Sequence, residues 1–498
     1  MADVKRAPGG VVEASGHPVG SGVVKPGYDP SLANEDLAPL GRQSWKSYNF
    51  FAFWMSDVHS VGGYVTAGSL FALGLAAWQV LIALLVGIVI VYLLCNLVAR
   101  PSQATGTPYP VVSRVTFGVR GANVPAIIRG LIAVAWYGIQ TYLASNSLVI
   151  LALKLQPGWG PYAEVESHGF AGLSTLGWAA FGLMWVLQAV VFWRGMEAIR
   201  KFIDFCGPAV YVVMFLLMGW IIWKAGWDSL DLTLSDKVLT GTESFIAMGS
   251  AILLVVSYFA ALLLNFGDFS RYARSERDMR VGNFLGLPVN FILFAVIVVI
   301  VTAGSAKVFG HMIMDPIEIV SKIDNKWAVV LGSVTFIIAT MGINIVANFV
   351  SPAYDFANLF PRHIDFRRGG LITSVLAVAV CPWIFVDSPK AITVFVSVFG
   401  AVLAPLFGVM VADFYLLKKQ VLKVEDLYTM APGGRYHYDG GWNRVGVAAL
   451  VLASVVSIGW ELCTQLLKVL PENNFGWVIG AVAGAVLYVA MMRGARRT

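Results

Sequence analysis

Two pairs of residues at helical spacing carry side chains suited to recognising a ligand. In "AVAWYGIQTYLAS" Trp136 and Gln140 stand four apart, and in "MGINIVANFVSPAYDF" Asn344 and Asn348 do the same, with Ser351 and Pro352 following. Residues at i and i+4 share one face of a helix. An indole beside an amide can stack on a flat ring and hydrogen-bond its edge, and each carboxamide presents both a donor and an acceptor. The plainer reading is that the Trp fills a packed bundle and the amides bond neighbouring helices. A third stretch, "MSDVHSVGGY" at 55–64, sets Asp57, His59 and a glycine pair inside an otherwise apolar run. Ionisable groups are costly at bilayer depth, so they mark an ion or ligand path, or else Asp57 pairs with a neighbouring helix through His59 and braces a bend.

The remaining chemistry-bearing residues do not assemble into a reaction centre. The six histidines are scattered, and there is no H-E-x-x-H, P-loop or dinucleotide fingerprint. Cys95, Cys206, Cys381 and Cys463 fall in or beside separate apolar runs without paired spacing. An enzyme, ATP-driven transport, a disulfide scaffold and a metal site all lack support, and no cofactor is expected. Asp268, in "NFGDFSRYAR", is expected to make an ion pair or helix-end contact at the membrane surface beside Arg271, Arg274, Arg277 and Arg280. Glu461, in "SIGWELC", is expected to be solvated or snorkelling.

The elements that position these residues are membrane spans. Of 498 residues 58% are hydrophobic and 13% charged, with a mean hydropathy of +0.73. Crossing a ~30 Å hydrocarbon core takes about 20 apolar residues in a helix. Twelve such runs occur, near 47–70, 75–99, 124–153, 172–193, 205–225, 243–266, 284–306, 327–350, 370–387, 391–416, 445–467 and 475–492, called spans 1 to 12 below. With both termini in the cytoplasm, only eight of the 35 Lys and Arg residues fall on the far side, the positive-inside pattern. The formal charge of +6 therefore reflects topology and contact with anionic lipid, not nucleic-acid binding. No secretory signal is present, and the Gly- and Pro-rich residues 1–45 are expected to form a mobile cytoplasmic tail.

Interruptions show where a site is expected. Span 1 carries "SDVHSVGG", and span 6 carries "VVSYFAALLLNFGDFSR" with Ser257, Tyr258, Asn265, Gly267 and Asp268. Irregular backbone at membrane depth is tolerated only where it is buried in protein or lines a cavity. Spans 1 and 6 correspond if spans 1–5 and 6–10 are two repeats, which points to an inverted-repeat transporter with broken helices 1 and 6 around its site.

Several segments together resemble the nucleobase-cation symporter family 1, whose members carry cytosine, uracil, purines, allantoin and hydantoins. They are "NEDLAPLGRQSW", "YPVVSRVTFGVRGANVPAIIRG", "AWYGIQTY", "NFGDFSRYARS", "NFVSPAYDFANLFPRHI", "FGVMVADFYLLKK" and "DLYTMAPGGRYHYDGGWN", in family order over roughly residues 32–490. The resemblance implies an all-α polytopic membrane protein of 12 helices. Its core is a five-plus-five inverted repeat of the leucine-transporter type at 46–420 (halves 46–225 and 243–420), with two further helices and a short cytoplasmic tail in 421–498. It implies alternating-access import of a small planar heterocycle across the plasma membrane, with a passive facilitator or a non-transporting sensor as the alternatives. By position in the family's motifs the substrate site falls on Trp136, Gln140, Asn348, Phe259 with Tyr258 beside it, and Ser60. The same positions put the family's cation site on Ser56 and His59 of span 1 and Ala339 and Gly342 of span 8. Gly342 and Ile343 offer no side-chain oxygen, so a proton carried by His59 or Asp57 is favoured over sodium as coupling ion. A uracil-like or hydantoin-like ring suits facing amides.

Overall fold

The computed structural model describes residues 22–59, 61–230, 239–385, 389–471 and 473–495. Among them, ten helices are long and apolar enough to cross a membrane. They are Ala77–Thr105 (span 2), Asn123–Leu155 (span 3), Thr175–Trp193 (span 4), Met196–Ala225 (span 5), Gly241–Leu264 (span 6), Glu276–Phe309 (span 7), Lys326–Leu359 (span 8), Ala391–Leu417 (span 10), Arg444–Leu466 (span 11) and Gly476–Ala495 (span 12). Span 9 is a 15-residue helix, Phe366–Val380. Strand structure among the described residues is confined to a small hairpin, Gly169–Phe170 against Leu173–Ser174, between spans 3 and 4.

Span 1 is two helices, Ser47–Val58 and Val61–Ser69, and the chain leaves the first at His59 with φ −90° and ψ 31°. The polar run before Gly62–Gly63, two residues each about 1 kcal/mol poorer than Ala in a helix, accounts for the weak point. Span 6 differs from the expectation of a mid-span break. It is continuous from Gly241 to Leu264, and the chain turns only at Asn265–Phe266 before a short helix Gly267–Ser270. The stretch "AILLVVSYFAALLL" has no Gly or Pro to interrupt it. Gly267 comes just after its end, where a Cβ would lie 2.4 Å from Ser102 Oγ of span 2.

Irregularity that the apolar pattern hides lies in spans 7, 8, 10 and 11, each with a π-helical stretch: 285–289, 344–350, 412–417 and 462–466. In span 8 the stretch Asn344–Val350 comes just before Pro352, which has no N–H to continue the α ladder. It therefore changes the direction in which Asn344 and Asn348 point.

Two surface expectations are corrected. The expected tail is packed from residue 22 onward: Leu32, Leu37, Ala38 and Leu40 are buried, and Arg271 donates to the carbonyls of Asp36, Ala38 and Gly106. Tyr428 Oη donates to Leu37 O, and Tyr28 stacks on Tyr428 at 4.3 Å. Buried apolar side chains and hydrogen bonds to its backbone together hold this segment in place. Residues 1–21 lie outside the described residues. Glu461, expected in solvent, is 1% exposed, and its Oε1 accepts from Gly476 N at 2.9 Å, satisfying an open donor at the start of span 12.

Candidate functional site

A cavity with an empty volume of about 340 Å³ lies between spans 1, 3, 6 and 8, lined by Asp57, Trp136, Gln140, Tyr258, Phe259, Ala261, Leu262, Ile343, Ala347 and Asn348. Five of the six residues expected at the substrate site stand around it. The sixth, Ser60, lies outside the described residues.

Aromatic contacts hold the walls at right angles. Trp136 meets Tyr258 at 5.8 Å and 81°, and Phe395 of span 10 at 5.0 Å and 82°. Tyr258 in turn meets Phe259 at 5.2 Å and 79°. Continuity of span 6 puts Tyr258 and Phe259 on a regular helix, so Tyr258 braces the indole while both rings still reach the cavity.

The amides divide the work. Asn344 donates to Tyr137 O at 3.1 Å, Thr141 Oγ1 at 2.9 Å and Gln188 Oε1 at 2.7 Å, and its own Oδ1 accepts from Asn348 Nδ2 at 3.1 Å. Asn344 is thus the interhelical fastener that binds span 8 to spans 3 and 4. Asn348 lines the cavity with one of its two N–H donors engaged by Asn344, so it can offer a ligand the Oδ1 acceptor and the second N–H. Gln140 is 2% exposed, and its Oε1 has no hydrogen-bond partner among the described residues. Room for that amide comes from Gly62, where a Cβ would sit 3.0 Å from Gln140 Nε2. The glycine at the break in span 1 and the amide of span 3 fit one another.

Asp57 and His59 part company, which corrects the view of them as one ionisable pair at the break. Asp57 faces the cavity. His59 turns away between spans 5 and 7, with Nδ1 at 2.7 Å from Tyr64 Oη and its ring 4.2 Å from Tyr211 and 5.4 Å from Phe294. Residues two apart stand about 200° from each other around a helix, so the two side chains leave on different faces. Of the expected cation-site positions, Gly342 and Ser56 are adjacent, since a Cβ on Gly342 would lie 2.5 Å from Ser56 Oγ, and Ala339 is fully buried one turn earlier. Ser56 Oγ is buried without a hydrogen-bond partner among the described residues.

Sequence reasoning did not foresee two features. A second, apolar cavity of about 310 Å³ shares Tyr258 and Phe259 with the first and is otherwise lined by residues such as Val58, Thr66, Leu84, Phe291 and Phe294. Asp268 is fully buried and not at a surface; its Oδ1 accepts from Tyr109 N at 2.8 Å, near Arg129 and Asp355. Three of the four arginines named beside it bond elsewhere: Arg271 to carbonyls, Arg274 to Asp278 and Arg280 to Glu276.

Comparison with known proteins gives a consistent set of likenesses. The family model described as a permease for cytosine/purines, uracil, thiamine and allantoin matches residues 39–480. An allantoin permease of Bacillus subtilis (strain 168) is 36% identical over 465 residues, covering 93% of each chain. A purine-uracil permease of Arabidopsis thaliana is 32% identical over 484 residues, covering 94% of this chain and 79% of the relative. Among solved structures, the nucleobase-cation-symport-1 family transporter Mhp1, closed with bromovinylhydantoin bound, superposes with a TM-score of 0.76 at 21% identity, covering 95% of this chain and 96% of the other.

Proposed function

Because this chain belongs to the family of permeases for cytosine and purines, uracil, thiamine and allantoin, we propose that it is a cation-coupled importer of a cyclic ureide or nucleobase rich in ring N–H groups. It works by alternating access in the plasma membrane with both termini cytoplasmic. The observation that carries this reading is the polar lining of the cavity: the Gln140 and Asn348 amides, each presenting an acceptor oxygen and an N–H, and Asp57, set beside Trp136 and Phe259. Stacking on the aromatic walls contributes about 0.5–1.5 kcal/mol per ring pair beyond area burial and suits any flat ring. Selection falls to the acceptors, because a ring that leaves a buried polar group unpaired loses about 1–3 kcal/mol for each. Hydantoin, allantoin and uracil carry ring N–H groups between carbonyls and match this lining.

The coupling ion in this reading is a proton. Gly342 and Ile343 supply no side-chain oxygen where span 8 meets Ser56, and a hard cation such as sodium takes a full set of oxygens. Uptake of radiolabelled allantoin, uracil and hydantoin is measured in cells and proteoliposomes with sodium and pH gradients imposed separately. The expected result is accumulation in sodium-free buffer that a protonophore abolishes, with competition lost when a ring N–H is methylated. Equilibration without accumulation points to a facilitator, and binding without flux to a sensor. N-methylated rings competing as well as their parents would refute the acceptor reading of the site.

A further inference from the structure

Below the cavity, toward the end of the bundle where residues 22–45 pack, Arg129, Asp268 and Asp355 are all fully buried. Arg129 stands seven residues before Trp136 on span 3, and Asp355 seven after Asn348 on span 8. Asp268 follows Phe259 by nine, just past span 6. Each of three helices that wall the cavity therefore carries one charged group about two turns, roughly 10 Å, further along.

Both carboxylates lie within electrostatic reach of one guanidinium without forming a direct ion pair with it. Asp355 packs against Gly130, where a Cβ would be 3.8 Å from its Oδ2, and neither Asp355 oxygen has a hydrogen-bond partner among the described residues. The same is true of Asp268 Oδ2, Arg129 Nη1 and Tyr109 Oη. Arg129 Nη2 donates to Ala347 O, in the cavity wall, at 2.8 Å. With the Asn265 amide turned to suit its neighbours, Arg129 Nε also donates to Asn265 Oδ1 at 3.0 Å. The titratable groups around the pair are Tyr109 from helix Tyr109–Val112, Arg129 from span 3 and Arg271 beyond the Gly267–Ser270 helix, with the neutral Ser351 of span 8 beside Asp268. Arg271 spends its N–H groups on three carbonyl oxygens and so reaches Asp268 through its charge alone, from outside the trio, within which Arg129 is the counter-charge.

The fully ionised trio carries a net −1 in a site without water-like solvation, and a buried charge without partners is expensive. One added proton makes it neutral and turns an acceptor oxygen into a donor for the oxygens that lack one. We propose that Asp268 and Asp355 hold one transported proton between them beside Arg129, and that this trio carries the coupling ion in place of His59 or Asp57. The proposal rests on the transport reading above and names its ion site. On release the carboxylic O–H bond breaks, its electron pair stays on the carboxylate, and the proton passes to water. The trio returns to −1. Asp268 belongs to the chain of span 6, whereas Arg129 and Asp355 belong to spans 3 and 8, which pack on each other. Repulsion between the two carboxylates then favours separating span 6 from that pair, which opens this end of the cavity. The neutral trio favours closure.

The test uses purified full-length protein in proteoliposomes with radiolabelled allantoin, uracil and hydantoin, comparing wild type, Asp355→Asn and Asp268→Asn. Counterflow exchange reports ring translocation, and accumulation under an imposed pH gradient reports proton coupling. Each variant, held neutral, is expected to keep measurable counterflow, slowed because the neutral trio favours closure, while proton-driven accumulation relative to counterflow falls at least about tenfold and the pH dependence of uptake flattens. Wild-type accumulation in both variants overturns the proposal. Wild-type counterflow without any response to a pH gradient also overturns it and leaves the transport reading standing. No counterflow of any ring by wild type sinks the transport reading and the proposal with it. Should the variants not fold, wild-type protein in weakly buffered solution decides: proton exchange on adding the ring supports the site, and none overturns it.

Discussion

Replacing Gly62 by Ala isolates the fit between the break in span 1 and the amide of span 3. The new methyl starts 3.0 Å from Gln140 Nε2, so the amide must give by a few tenths of an ångström. Gln140 is flexible and its Oε1 has no partner to hold it, so folding is little affected. Gly62 sits in helix Val61–Ser69, and Ala there contributes up to about 1 kcal/mol of helix propensity that offsets the steric cost. The ligand loses an aligned hydrogen bond with a net worth of about 0.5–1.5 kcal/mol, equivalent to roughly 2- to 13-fold weaker binding. Equilibrium binding of a radiolabelled ring to purified protein, paired with thermal unfolding, measures both effects. A double-mutant cycle with Gln140→Ala then tests the route, because if position 62 acts through Gln140 the double variant binds no worse than Gln140→Ala alone. Wild-type affinity in Gly62→Ala, or full additivity in the cycle, would refute the coupling between these two residues.

Removing the fastener by Asn344→Ala leaves Gln188 Oε1 and the Asn348 amide without their partner, and thermal unfolding is expected to show a loss of about 2–4 kcal/mol; a loss confined to ligand binding would contradict its structural role. Arg271→Gln frees the carbonyls of Asp36, Ala38 and Gly106, so trypsin should cut at Arg42 about tenfold faster, the equivalent of 1.4 kcal/mol, and an unchanged cleavage rate would count against the packing of residues 22–45. Outside the spans, burial raises the Asp315 carboxyl from 3.8 to about 6 although it accepts from Ile317 N. A folded-state value above the unfolded one means that ionisation works against folding, so stability falls as pH rises from about 4 to about 6, by up to roughly 3 kcal/mol. Asp315→Asn retains the helix cap without the charge and should raise the unfolding temperature above pH 6 with no difference below pH 4; equal shifts at both pH values would rule this out.

What the sequence made legible was local. Trp136, Gln140 and Asn348 lie where i, i+4 spacing on a helix places them, and all three reach the cavity. The roles of Asn344 and Asn348 could not be separated in advance, because the π-helical stretch Asn344–Val350 redirects the face they share. Asp57 and His59 stand two apart, about 200° round a helix, so they leave on opposite faces, but which face meets the cavity depends on how span 1 packs. The trio of Arg129, Asp268 and Asp355 is spread over more than 200 residues, and no short-range pattern reports a meeting of three helices. Residues 22–45 read as mobile because charged and turn-forming residues break up their apolar side chains, so no periodic stripe appears. Leu32, Leu37 and Leu40 are nevertheless buried, and the other anchors are backbone carbonyls, which are the same in every sequence, so composition cannot reveal them.

The features at the end of the bundle opposite the substrate aromatics share one physical character. The contacts of residues 22–45 with Arg271, of Asp268 with Tyr109, and of Arg129 with Ala347 are hydrogen bonds and charge contacts, not apolar packing. An apolar seal loses about 25 cal/mol for each Å² exposed to water when it parts, with nothing in water to replace it. A polar seal exchanges its partners for water, at a net cost of only about 0.5–1.5 kcal/mol per hydrogen bond. A gate that must open and close in every cycle needs two states within a few kcal/mol of each other. Polar closure meets that requirement, and a single proton shared by Asp268 and Asp355 shifts the electrostatic part of the balance at the place where spans 3, 6 and 8 converge.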